Sequence, residues 1–313
     1  MIKDVYLPED TRCLTTNGFK PLSDITFEDN LIVIDDNGEL IYTNDFTIKS
    51  KDSVDSCRLF RRSNYYQCVA DRYVEFLNKY NFCFRKDDED IRSMYMNLDN
   101  DNHGPFKLDF IMALAIFVSS YFKKSGDNLI SLNNRKAYFV LKNASAKNLF
   151  FRHDSELRQY NFKSSSLYLS TDKLISRLLE NIDIFENILD KIIELDYAIP
   201  VKSKHYTYYF EVKNYNLAIL LSSLISLCGH ISFVSYISSN EMFRIKFKLN
   251  RHDIVSSKTT YNELIENKNQ KKFYNLSFKD DYSLIIFQNI KNISSMSIIK
   301  TSYNILETKE EVF

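Results

Sequence analysis

Arg244, Lys246 and Lys248 alternate along the segment FRIKFKL, so three cations share one face of an expected strand. A row of this kind suits the phosphate oxygens of a nucleic acid, whose backbone supplies most non-specific affinity. Lys202 and Lys204 stand just ahead of a second strand-like run, HYTYYFEV, in which aromatic and charged residues interleave, and they join the same candidate set. The charge distribution points the same way. Residues 1–100 carry 13 Lys+Arg against 19 Asp+Glu, residues 101–260 carry 21 against 15, and residues 261–313 carry 7 of each. A net charge of zero therefore hides a basic middle beside an acidic start, which fits a nucleic-acid-binding insertion in a domain that does not bind.

Other reactive side chains offer little. Cys13, Cys57, Cys68, Cys83 and Cys228 show no C-x-x-C spacing and no paired histidines nearby, so they read as buried small hydrophobes rather than a zinc site or disulfide framework. His103, in His103-Gly104-Pro105, reads as part of a solvated loop.

The elements that must position the cations come next. At 313 residues with 44% hydrophobic content the chain is long enough for two domains of ordinary size. No run of eighteen apolar residues occurs and MIKDVYLPED lacks the apolar core of a signal peptide, so a soluble, unsecreted, intracellular protein without membrane contact is expected. Many Asn, Lys, Ile and Tyr with only 5 Gly and 4 Pro is the usage of an AT-rich genome, which hints at a virus, phage or mobile element and fits a virion-associated place.

Residues 6–34, YLPEDTRCLTTNGFKPLSDITFEDNLIVI, read as short strands with closely spaced turns. Asn17-Gly18 marks a hairpin because both residues tolerate positive φ, and a second turn follows at Asp35-Asp36-Asn37-Gly38. SCRLFRR, YYQCVA and YVEFL continue the β pattern. Residues 86–102 read as an acidic linker. Residues 108–124, LDFIMALAIFVSSYFKK, form an expected helix that is apolar all round and must be buried. ISL and AYFVL alternate like strands about Asn133-Asn134. Residues 171–195 carry apolar residues at helical spacing. YNLAILLSSLISL reads as an amphipathic helix capped by Gly229, followed by a hairpin of ISFVSY and FRIKFKL. Residues 263–270 read as a short polar helix or loop, and the tail from residue 293 has no clear pattern, as either a partner-binding arm or a frayed end.

In order and spacing, residues 6–34 resemble the opening of the Hint fold of inteins and hedgehog autoprocessing domains. There a nucleophile is followed by Leu, a variable pair, Asp-Thr, a strand, Asn/Asp-Gly, an Ile/Leu-x-x-Ile step and a buried Val-rich strand. Residues 272–288, KFYNLSFKDDYSLIIFQ, resemble that family's late block, aromatic-Asp-Leu-x-Val, then a turn and a strand. The resemblance implies one β-fold whose halves are separated by an insertion. It places the splicing nucleophile at Tyr6, the activating His of a Thr-x-x-His step at Arg72 in Val69-Ala70-Asp71-Arg72, and the terminal Asn at Asn289, with no His before it. The resemblance implies that splicing is lost, because Tyr6 and Arg72 replace the nucleophile and the His, and Asn289 has no His before it and no nucleophile after it.

The inserted region resembles LAGLIDADG homing endonucleases, whose unit is αββαββα: a helix, Gly126, two strands, then a twin helix with an acid at its end. In that family small residues, here Ser119 and Ser120, let the two helices meet, and each helix end delivers an acid that binds a divalent metal. Ser125 occupies the first acid's position, Asp127 lies two residues on, and Asp196 falls at the second, with Tyr197 in place of Gly. The most specific match is the helix reading Leu-Ala-x-x-Leu-x-x-Leu followed by its hairpin. On the family's sheet the face of Arg244, Lys246 and Lys248 lies in the DNA major groove.

The resemblance implies an α+β protein: an all-β Hint-like module from residues 1–100 and 261–292, an inserted pseudo-twofold LAGLIDADG-like domain over 101–260, and a tail over 293–313. It implies a DNA-binding protein of intein and homing-endonuclease descent that contacts double-stranded DNA, with splicing lost, nuclease activity lost and no cofactor. Two alternatives stay open. One is a structural or interaction subunit of a phage or viral assembly, such as a virion, transcription or replication complex; the other is an active site-specific endonuclease using Mg²⁺ held by Asp196 and Asp127.

Overall fold

A computed structural model describes residues 2–52, 56–61, 65–69, 73–78, 108–121, 129–133, 151–154, 159–163, 170–194, 197–202, 206–249, 255–260, 263–266, 271–290 and 293–304. They form a mixed α+β protein of mostly antiparallel strands with a few short helices. The chain divides into two compact units. Met1–Phe82, Ile219–Ser235 and Asn250–Phe313 make the first; Cys83–Ala218 and Tyr236–Leu249 make the second.

In the first unit, strands near both ends of the chain pair with one another. Leu7–Pro8 pairs with Phe273–Phe278, which pairs on its other side with Phe46–Lys51. Ser283–Ile290 pairs with Arg12–Thr15 through Cys13 and Ile286, and with Leu31–Ile34 through Ile34 and Ser283. Leu31–Ile34 is buried at all four positions, as expected of a short continuous apolar run in a central strand. Val5, Leu22, Val33, Phe46, Leu276, Leu284 and Ile286 pack together as the core.

Turn chemistry accounts for the local folding. Arg12–Thr15 returns as Gly18–Pro21, and Thr15 Oγ1 both accepts from Asn17 N at 3.1 Å and donates to Gly18 O at 2.8 Å. Only Gly18 takes the left-handed conformation, at φ 100°; Asn17 does not, so the glycine alone absorbs the bend expected of the pair. Ser56–Arg61 pairs with Tyr65–Cys68 and with Glu263–Glu266, so the latter is a strand and not the expected polar helix or loop. Its four residues, ELIE, do not alternate between polar and apolar, and so short a run does not distinguish a strand from a helical turn. Ile293–Lys300, which pattern left unplaced, pairs with Ser283–Ile290 along its length, and Ser302–Asn304 pairs with Ile2–Asp4.

In the second unit, helix Leu108–Tyr121 packs against helix Phe185–Glu194 and touches helix Thr171–Glu180. Met112, Ala113, Leu114, Ala115 and Ile116 are consecutive and all buried, which is the all-round burial their composition demands. The single helix expected over residues 171–195 is instead two. Asn181 interrupts it at φ −127°, its Nδ2 donating to Arg177 O at 2.8 Å, and a 3₁₀ turn, Ile182–Ile184, precedes the second helix. An asparagine amide that satisfies a terminal carbonyl offers the chain a stop that apolar spacing cannot reveal. Leu129–Asn133 pairs with Gln159–Lys163, which also pairs with Phe151–Asp154; the expected strand AYFVL, the linker over 86–102 and Cys83 lie outside the described residues.

Helix Tyr215–Leu227 matches its expected bounds, and its end is closed as expected by Gly229 at φ 86°, with Gly229 N donating to Ser226 O and His230 N to Ile225 O. It is not amphipathic, however. Every residue from 217 to 227 is buried, and Ser222 is accommodated by a 2.8 Å hydroxyl contact with Ser232. Small hydroxyl side chains among leucines read as a polar face but are short enough to be buried once paired.

Candidate functional site

Strands Thr207–Val212 and Met242–Lys248 run antiparallel in the second unit, with Glu211 opposite Arg244, Tyr209 opposite Lys246 and Thr207 opposite Lys248. Phe210, Val212, Ile245 and Phe247 are buried, so period-two alternation sends Arg244, Lys246 and Lys248 to the other face, as expected. Aromatic contacts hold the inner face: Phe247 lies 5.7 Å from Tyr208 and 6.0 Å from Phe210, centroid to centroid. On the outer face Lys248 is exposed and Lys246 partly so.

Arg244 differs from the expectation of a cation presented to solvent alone. Its Nε and Nη2 donate to Glu211 Oε1 at 2.9 and 2.6 Å, and its guanidinium lies 4.4 Å from the centroid of the Tyr209 ring. Asn240 Nδ2 donates to the other carboxylate oxygen at 3.1 Å. The turn that carries Asn240 is fixed by Glu241 at φ 53°, an uncommon left-handed conformation for a residue with a side chain. Lys202 is exposed one residue after Val201, whose N–H donates to Thr207 O at 2.8 Å, and it follows Ile199–Pro200, the short strand that pairs with Thr207–Val212. Lys204 lies outside the described residues.

At the start of the first unit, Tyr6 stands where a nucleophile was expected. It is 9% exposed, packed with Cys57 and Phe273, and Lys51 Nζ lies 4.2 Å from its ring centroid. Its backbone exchanges hydrogen bonds with Val69, N to O at 3.1 Å and O to N at 2.8 Å. Val69 opens the step whose last residue, Arg72, lies outside the described residues. Asn275 Nδ2 donates to the carbonyl of Val5 at 2.7 Å, so the peptide joining Val5 to Tyr6 is engaged on both sides. Asn289 is exposed in its strand opposite Ser294, while Gln288 is buried and donates to Thr11 Oγ1 at 2.9 Å.

Thiol chemistry is unfavourable in this region. Burial foremost, then the Asp29 carboxylate, pushes the Cys13 thiol up to about 12. Burial also holds Cys68 well above its ordinary value. Neither side chain is a thiolate at neutral pH, the form a nucleophile or soft-metal ligand requires.

The two expected acids, Asp127 and Asp196, and Ser125 lie outside the described residues. The residue after Asp196 is described: Tyr197 stacks on Phe117 with centroids 4.0 Å apart and planes 9° from parallel. This contact sets the end of helix Phe185–Glu194 beside helix Leu108–Tyr121, and burial raises the Tyr197 phenol above its ordinary range. Among the described residues, no group of three or more His, Cys, Asp or Glu side chains is arranged to hold a metal ion. No helix among them is long and apolar enough to cross a membrane.

Glu211, Tyr209 and Asn240 were not anticipated. HYTYYFEV shows an acid among aromatics, but which cation it meets depends on cross-strand register, which hydrophobic alternation leaves free to slide by two.

No protein-family model matches the chain, and no curated protein matches its sequence.

Proposed function

We propose that the chain is a DNA-binding protein derived from an intein-like Hint module carrying an inserted LAGLIDADG-like body, in which splicing and nuclease chemistry have been lost. The observation that carries the binding reading is the outer face of Thr207–Val212 and Met242–Lys248, where Tyr209, Arg244, Lys246 and Lys248 stand side by side above a buried aromatic layer. The two strands belong to a larger antiparallel sheet; the face of a sheet can present side chains to the major groove of B-form DNA, and lysines on it can neutralise phosphates. Descent from a Hint module is supported by the pairing of strands from both chain ends and by the backbone bridge between Tyr6 and Val69. Loss of splicing is supported by the buried phenol at the nucleophile's position.

Titration of duplex DNA at a series of salt concentrations tests the reading. Binding that weakens steeply and linearly on a log–log scale is expected; an absence of salt-dependent binding overturns it. Incubation with plasmid and Mg²⁺, beside Asp196→Ala, tests the loss of nuclease activity; cleavage abolished by that substitution overturns the second half of the proposal.

A second reading, a structural or interaction subunit of a phage or viral assembly, is favoured by one observation in the first unit. Phe27 is 63% exposed while stacked on Phe46, and Tyr42 is 56% exposed. Aromatic residues of this kind are enriched at protein interfaces. Co-purification of a stable protein partner together with a flat salt response would favour it.

A further inference from the structure

Arg244 is held from two directions at once. One edge of its guanidinium meets Glu211 Oε1 through Nε and Nη2, at 2.9 and 2.6 Å, and one face lies over Tyr209 at 4.4 Å. Glu211 is itself fixed by Asn240 at 3.1 Å, and it faces Arg244 directly in strand register. The arginine side chain nonetheless keeps 39% of its surface exposed, against 19% for the glutamate.

Arginine carries five N–H donors in a rigid fork. Glu211 takes two of them, on the Nε/Nη2 side, and leaves one N–H of Nη1 and the second N–H of Nη2 along the outer edge. The adjacent carboxylate cancels the charge at contact distance, so this side chain gains little from a phosphate. The donors of its outer edge keep their direction. The acceptor that matches a two-donor edge without requiring net charge is the O6 and N7 pair of guanine in the major groove. Lys248, an exposed point charge on the same face, has the opposite character and suits a phosphate.

Resting on the DNA-binding reading, the geometry points to a division of labour across this face: Arg244, positioned by Glu211 and Tyr209, reads a guanine in duplex DNA, and the lysines beside it hold the backbone. Glu211 is then a positioning residue that converts a cation into a base reader.

The test combines selection from a randomised duplex pool with the salt dependence of binding, for the wild type, Arg244→Ala, Lys248→Ala and Glu211→Gln. The wild type is expected to prefer guanine at one position by roughly ten- to a hundred-fold, and to lose that preference when this guanine is replaced by 7-deazaguanine. Arg244→Ala abolishes the preference. Lys248→Ala keeps the preference and lowers the slope by about 0.9. Glu211→Gln releases the arginine's charge, so the slope rises and the preference weakens. Wild-type binding without a guanine preference, insensitivity to 7-deazaguanine, or a preference retained in Arg244→Ala overturns the inference while leaving DNA binding intact. A flat salt response from the wild type overturns the DNA-binding reading and this inference with it. The 7-deazaguanine arm uses the unaltered protein, so a variant that fails to fold does not remove the test.

Discussion

Asn275 donates its side-chain amide to the carbonyl oxygen of Val5 at 2.7 Å, linking residues 270 positions apart in the chain. The same nitrogen reaches Thr301 O at 2.8 Å, and Val5 N donates to that carbonyl as well, at 2.8 Å. One amide, 1% exposed, thus ties together the start of the chain and two strands near its other end.

Asn275→Ala leaves two buried carbonyls each short of a donor. An unsatisfied buried acceptor costs about 1–3 kcal/mol, and Val5 N still serves one of the two, so a loss of about 1–3 kcal/mol is expected. Urea unfolding should show a lower midpoint with an unchanged slope. A midpoint within error of the wild type would show that strand pairing alone joins the chain ends.

Acid should weaken the first unit through Asp29. Burial by itself would raise this carboxyl, but Lys20 Nζ at 2.8 and 3.0 Å, the Thr26 N–H at 2.8 Å and the Thr26 hydroxyl at 3.1 Å outweigh it and hold the group below its ordinary 3.8. The folded state therefore binds fewer protons at Asp29 than the unfolded state. Its contribution is present above pH 3.8 and is lost as pH falls below that value. Asp29→Asn should be less stable at neutral pH by about 1 kcal/mol, given screening of the partly exposed lysine. The gap to the wild type should narrow on acidification; a gap constant from pH 7 to pH 3 contradicts the assignment.

These contacts show which parts of the fold could be read beforehand. Turn residues spoke clearly, because Gly18, Gly38 and Gly229 occupy left-handed positions that other residues adopt only with strain. Strand and helix identities in 207–248 followed from periodicity and match the observed bounds closely. The break at Asn181 was hidden, since Leu178, Ile182 and Phe185 keep an apolar spacing on both sides of it. At the candidate site, alternation placed Arg244, Lys246 and Lys248 on one face. It could not name Glu211 as the partner of Arg244, because a contact across 33 positions is set by register and not by any local preference.

Cys13 offers a direct probe of the core. Its thiol, wholly buried and pushed up to about 12, should resist iodoacetamide at pH 8 in the native protein and react once urea unfolds it. Cys228, half-buried after its helix, should react sooner. Peptide mapping after timed alkylation distinguishes the two. Modification of Cys13 at a rate equal to that of Cys228 would contradict the packing of strand Arg12–Thr15 against Ser283–Ile290.

The slope of log K against log salt for duplex DNA, compared between the wild type and a variant with Lys202, Lys246 and Lys248 all changed to Ala, bears most directly on the proposed function. Three lost phosphate contacts should reduce the magnitude of the slope by about 2.7, with the fold unchanged by circular dichroism. An identical slope for the two proteins would contradict a DNA-binding role for this face.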